Sequence, residues 1–277
     1  MKIKEFVGGT LIGGGMMIGA FLLIKHLRLT HRLIPHGGDG LLFFISLLLS
    51  LYLALTVHEL GHLAAARIMG FKFYLFVSGP FGFRRKENDR IGFFFNKNFA
   101  LAGGIVSAVP SSESPDNYIK YAVLLAAGPL MSLCWSLLCF SFFIMNLHVL
   151  DYFWAYSSFM SIGILLATTI PGTSGGMYTD RARFFRLIRA GQEREIEKAL
   201  LSSIALLQKT ESYALLDIEK LKLIQCDKNP LISALGFRYA YYYFKEKNDT
   251  GNMQLQKQQH DIIAAHLPAY LRQPIEE

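Results

Sequence analysis

Four stretches of this chain stay apolar for as long as a bilayer is thick, and that limits its possible folds more than any other feature. They run from Phe6 to Ile24, from Leu41 to about Met69, from about Tyr118 to Leu147, and from Tyr152 to about Ile170. A helix needs about 20 apolar residues to cross the hydrocarbon core. Inside that core every backbone polar group must be satisfied within its own segment, so such stretches become helices. Composition agrees: 52% of the residues are hydrophobic and 18% charged, outside the usual range for a soluble domain. Charge is also unevenly spread. Residues 1–180 hold 13 of the 28 Lys and Arg and 9 of the 21 Asp and Glu, leaving 15 and 12 for residues 181–277. The expected fold class is an α-helical integral membrane protein. It has about four transmembrane helices, a small β-hairpin region and a helical cytoplasmic C-terminal domain. Residues 1–40 form the first transmembrane helix and an outer loop, 41–180 a membrane core, and 181–277 the C-terminal domain.

The opening Met1-Lys2-Ile3-Lys4 before an apolar run resembles a secretory leader, but Ile18 occupies the position where a cleavage site near Ala20 wants a small residue. A retained first helix is expected. Its Gly9 and Gly13, then Gly15 and Gly19, are spaced for close helix packing within the molecule. Residues 71–110 alternate short aromatic or β-branched runs (FKFYLFV, IGFFF) with turn-like pieces (SGP, KENDR), which predicts two or three β-strands. From 181 onward the apolar spacing is helical, with breaks at Gly191, at Lys228-Asn229-Pro230 and at Asn248 to Gly251. The basic residues set an orientation. Lys2 and Lys4, the 71–117 loop with Arg84, Arg85 and Lys86, and the tail with Arg181, Arg183, Arg186 and Arg189 all fall on one side. The excess of Lys and Arg makes that side, and both termini, cytoplasmic. A bacterial cell membrane is the expected location, and the lipid bilayer the first partner.

The net charge of +7 does not indicate nucleic acid, because no zinc knuckle, recognition-helix pattern or RNA-binding aromatic pattern accompanies it. Cys134, Cys139 and Cys226 are an odd set with no paired spacing, which argues against a disulfide framework or a cysteine metal site. His26, His31 and His36 read as a solvated interface loop.

The residues that carry chemistry are His58-Glu59-Leu60-Gly61-His62, an H-E-x-x-H pattern near the end of the second apolar stretch. Residues four apart share a helix face, so both imidazoles can bind one Zn2+ while Glu59 reaches its water as general base. Three ionisable groups in one turn of an apolar span are costly, and such groups are functional by default. A catalytic zinc takes three protein ligands and keeps one position open. Ala65 and Ile68 stand where the metzincin pattern needs Gly and His, and no downstream helix offers a thermolysin-like Glu pattern. The remaining candidate is Asp180, which ends the segment after the fourth span. In the expected topology the second and fourth spans run parallel, so both ends reach the same side.

At this point the chain resembles the site-2 protease (M50) family of intramembrane zinc metalloproteases. HELGH matches the family's first motif. Gly128-Pro129 in AAGPLMS looks like its G-P-x-x-N, and residues 168–181 resemble N-x-x-P followed by x-D-G. The 71–107 segment, with Ser78-Gly79-Pro80 and Ala102 to Val106, looks like its β-hairpin region. The resemblance covers about residues 41–190. It implies Glu59 as catalytic base, His58, His62 and Asp180 as metal ligands, and a substrate held as an extended strand beside Gly103 and Gly104. It departs at Ser132 and Thr168, where asparagines are usual, and at Arg181, where Gly is usual. Ser132 and Thr168 would then be the substrate or oxyanion contacts, since a hydroxyl can still donate. The implied substrate is a membrane-anchored protein or peptide, cut in a transmembrane segment or signal-peptide remnant. A protein partner for the C-terminal helices is a further expectation. Two alternatives stay open at this point: a non-catalytic zinc-binding membrane scaffold, and a rhomboid-like serine protease using Ser174 of Gly172-Thr173-Ser174-Gly175. The second lacks a base, because the only later histidines, His260 and His266, fall in the polar tail.

The orientation has a direct check. A cysteine placed in the 84–90 turn is expected to be labelled by an impermeant thiol reagent only from the cytoplasmic side, and one placed near Gly37 only from outside. The reverse pattern would invert the topology.

Overall fold

The computed structural model describes residue 25 and residues 40–86, 88–98, 101–145, 150–174 and 176–275. The first apolar stretch, with its glycine pairs, and the histidines of the first loop lie outside the described residues. The chain divides into two compact units. The first runs to Ala64 and takes in Leu75–Val106 and Ala126–Ile170; the second comprises Ala65–Tyr74, Ser107–Leu125 and Pro171–Glu277.

Eight α-helices lie among the described residues, with a small antiparallel sheet. Helix α1, Gly40–Ile68, is a continuous helix of 29 residues, mostly apolar but carrying His58, Glu59, His62 and Arg67 toward its end; helix α2, Asn117–Ile144, has 28. Their mean hydropathies of 2.4 and 2.0 make these two long and apolar enough to cross a membrane. Large apolar side chains stand exposed along both, among them Leu41, Phe44, Leu48, Leu130 and Leu137. Such outward faces suit lipid rather than water. Helix α3, Asp151–Thr169, covers the expected fourth stretch in 19 residues and stops where Pro171 bars another turn. It is not among the two candidate spans, since Tyr152, Trp154, Tyr156 and three serines dilute its apolar content.

The sheet follows α1. Strands β1 (Phe71–Ser78), β2 (Phe81–Arg85), β3 (Ile91–Phe95) and β4 (Ile105–Pro110) lie in the order β3-β2-β1-β4. Four strands form where the sequence pattern suggested two or three. β4 is short and ends on a proline, a residue tolerated on a sheet edge, which is where β4 lies. Ser78 pairs with Phe81 across the two-residue turn Gly79-Pro80. Between β2 and β3, Phe81 pairs with Phe95 and Phe83 with Phe93. Strand alternation puts those four rings on one exposed face.

The chain then enters a two-stranded hairpin, β5 (Thr173–Ser174) and β6 (Met177–Tyr178), and five helices. These are α4 (Asp180–Ile188), α5 (Gln192–Thr210), α6 (Ile218–Gln225), α7 (Pro230–Glu246) and α8 (Thr250–Ala264). The expected breaks are observed: Asn229 caps α7 and Asp249 caps α8 through side-chain oxygens. A further break after Thr210 uses left-handed Glu211, and Asp217 caps the next helix. The core of these helices is formed by Ile196, Leu200, Leu216, Leu221, Ile224 and Ile232. Leu221 is fully buried. Leu221→Ala is expected to cost about 2–5 kcal/mol, as buried Leu truncations do, read as a lower thermal unfolding midpoint; no change would place Leu221 outside the core.

Candidate metal centre

Helix α1 places His58, Glu59 and His62 in one turn, and all three are buried, at 2, 6 and 5% exposure. Polar groups so buried need partners. His58 Nδ1 lies 2.9 Å from the hydroxyl oxygen of Ser132 on α2. Ser132 is itself fully buried, and its carbonyl accepts a hydrogen bond of 2.8 Å from Ser161 on α3. The Nε2 atoms of His58 and His62 face each other at 3.3 Å. The tautomer in which Nδ1 donates to Ser132 would leave Nε2 of His58 its lone pair, as a metal ligand needs.

Close backbone approach makes this geometry possible. A Cβ on Gly61 would stand 2.6 Å from the Ala127 carbonyl oxygen, and one on Gly128 only 2.2 Å from His62 Nε2. Nothing larger than glycine at these two positions lets α1 and α2 meet at this separation. The sheet closes another side. Thr56 and Ser78 hydroxyls lie 2.8 Å apart, tying the end of β1 to α1. Just before β4, Gly104 has φ +97, and a Cβ there would lie 2.3 Å from Glu59 Oε1. Its backbone therefore presses on the carboxylate of Glu59, whereas a Cβ on Gly103 would meet nothing within 4 Å.

Asp180 opens α4. Thr179 already caps that helix, accepting from the Ala182 amide, so the helix does not need Asp180 as its cap. The glycine-rich segment before it forms the β5–β6 hairpin, with Gly172 and Gly176 at positive φ and the Thr179 amide donating to the Gly172 carbonyl at 3.1 Å. Ser174 is a strand residue of this hairpin. His260 is buried in α8, its Nδ1 3.0 Å from Asp261 Oδ1. His58, His62 and Asp180 are a group of side chains that could hold a metal ion, each offering one ligand atom. Two imidazoles and a carboxylate are a donor set that fits a catalytic zinc with one position left open.

Of the other expected contacts, Ser132 stands on a ring nitrogen of His58, and Thr168 donates to the Leu165 carbonyl of its own helix at 3.2 Å. Ser161 and the close contact at Gly61 were not anticipated. The signal available for Ser161 was that it is one of three serines in a long, mostly apolar helix.

Apolar helices holding a buried His-Glu-x-x-His define the class: a mostly helical protein with a group of side chains that could hold a metal ion. The chain belongs to Peptidase family M50, the site-2 protease family, whose model it matches over residues 46–262. Members of that family are metalloproteases of membranes. No curated protein and no solved structure matches the chain.

Ser132→Ala removes the partner of His58 Nδ1. It is expected to weaken zinc binding about 10–100-fold, the usual effect of losing such a support, in competition with a chromogenic chelator. Unchanged affinity would deny Ser132 that role.

Proposed function

We propose that the chain is an intramembrane zinc metallopeptidase that cuts a membrane-anchored protein or peptide within a transmembrane segment or signal-peptide remnant. The observation that carries this reading is the group formed by His58, His62 and Asp180. Membership of family M50 supports it. Bound zinc would acidify a water molecule and polarise the scissile carbonyl. The chain's own residues do the rest. His58 and His62 would hold the metal, with the His58 ring fixed by Ser132. Asp180 would supply the third ligand. The Glu59 carboxylate takes the proton of the attacking water and returns it to the leaving nitrogen. Gly104, packed against that carboxylate, narrows its choice of rotamers. A substrate helix has its peptide groups tied up in its own hydrogen bonds, so it must unwind locally before a peptide bond is accessible. The sheet after α1 is then the surface on which the unwound segment lies extended.

In this reading α1, α2, α3 and the segment Phe6 to Ile24 cross the bilayer of a bacterial cell. Both termini are cytoplasmic, and the C-terminal helices meet a protein partner. The mechanism turns on Glu59, which sits between the ligands without being one. Glu59→Gln is expected to retain zinc and to lose cleavage by about 10²–10⁴-fold, the span of general acid–base catalysis, measured on a membrane-anchored substrate in proteoliposomes. Cleavage at the wild-type rate would sink the mechanism. Stoichiometric zinc in a wild-type protein that cuts no such substrate would instead mark a metal-binding scaffold.

A further inference from the structure

Helix α4 is nine residues long, and a helix of that length is marginal by itself. What holds it is a cluster of buried charges one and two turns beyond Asp180. Arg183 donates from Nε and Nη2 to Glu197 Oε2 at 3.2 and 3.1 Å, and from Nη1 to the Tyr121 hydroxyl at 2.8 Å. Arg186 donates from Nε to the other oxygen of Glu197 at 3.1 Å and pairs with Asp227 through Nη2. Glu197, on α5, and Asp227, just before α7, have fully buried side chains. The residues before Asp180 are tied to the same place. Tyr178 accepts from Arg186 Nη1 at 3.0 Å and donates to Asp227 Oδ1 at 3.3 Å. Burial, aided by the Asp227 carboxylate, pushes the Tyr178 phenol up to about 12, so it stays protonated as a donor. Asn229 donates to the Gly176 carbonyl in the β5–β6 turn at 3.1 Å. Asp180 is therefore gripped on both flanks by α5 and the α6–α7 connection.

Burying Arg186, Glu197 and Asp227 almost completely, with Arg183 partly exposed beside them, is a poor way to gain stability, since apolar side chains of similar volume often do as well or better. Their strength is geometry: the arginine forks fix distance and direction to a carboxylate. A carboxylate that ligates a metal needs such placement, to within about 0.5 Å. We infer that the cluster of Arg183, Arg186, Glu197 and Asp227 is the device by which the C-terminal helices hold Asp180 in ligand position. The positioning residues then lie up to 47 positions along the chain from the ligand they serve, Asp180 against Asp227. This rests on the reading of Asp180 as the third zinc ligand.

The test is zinc affinity and thermal midpoint, measured side by side on the full chain in detergent. Glu197→Gln and Asp227→Asn keep side-chain shape and remove the charge; each is expected to weaken zinc binding at least about tenfold, as lost ligand supports do. Leu221→Ala, in the apolar core of the same helices, is expected to lower the midpoint and leave zinc affinity within about twofold of wild type, because it loosens packing without touching the cluster. Should Glu197→Gln not fold, Arg186→Lys takes its place, since it keeps the charge and loses the fork. Wild-type zinc affinity in the cluster variants, or an equal loss in Leu221→Ala, overturns the inference. Asp180→Ala separates it from the reading beneath: full zinc affinity there removes Asp180 as a ligand. A loss there with none in Glu197→Gln and Asp227→Asn overturns the positioning role alone.

Discussion

The arrangement depends on keeping two imidazoles and a carboxylate inside an apolar helix. Moving such groups out of water costs several kcal/mol each when they find no partner. The chain meets that cost locally. Ser132 takes one nitrogen of His58, the two Nε2 atoms face each other, and Gly104 brings backbone against Glu59. Each of these needs a neighbour at contact distance. Gly61, Gly128 and Gly104 are consequently as much a part of the site as the side chains that would bind metal.

The sequence pattern made part of this legible. The i, i+4 spacing of His58 and His62 is a local property of a helix, and so is the long apolar run around it. The turn Gly79-Pro80 and the caps at Asn229 and Asp249 are local too, and the structure has them. Contacts between distant segments were not legible. Ser161 reaches Ser132 across 29 positions, and Arg186 reaches Asp227 across 41. Neither pairing leaves a period or spacing behind. β4 was hidden for a different reason: six residues ending in proline carry too short an alternation to read.

Glu197 shows how position along the chain misleads. As one acidic residue in a charged, periodic segment it looks like part of a solvated helix face. It is fully buried between two arginines of α4. Charge density had marked residues 181–277 as a separate soluble part, and several of those charges turn inward.

The same reasoning explains α3, the least apolar of the three long helices that lead up to the β5–β6 hairpin. In the membrane setting proposed above, apolar side chains gain nothing by leaving the hydrocarbon for one another, so helices would associate through close packing and hydrogen bonds. Ser157, Ser158 and Ser161 are all buried. Ser157 donates to Ser50 on α1 at 3.1 Å, and Ser50 donates to the Phe153 carbonyl at 3.0 Å. Ser158 and Ser136 on α2 lie 3.0 Å apart, and Ser161 holds the Ser132 carbonyl. The polar seam thus runs along α3, touches both neighbours and ends at the residue that orients His58. The serines that lower the apolarity of α3 are the ones that set α1 and α2 in register.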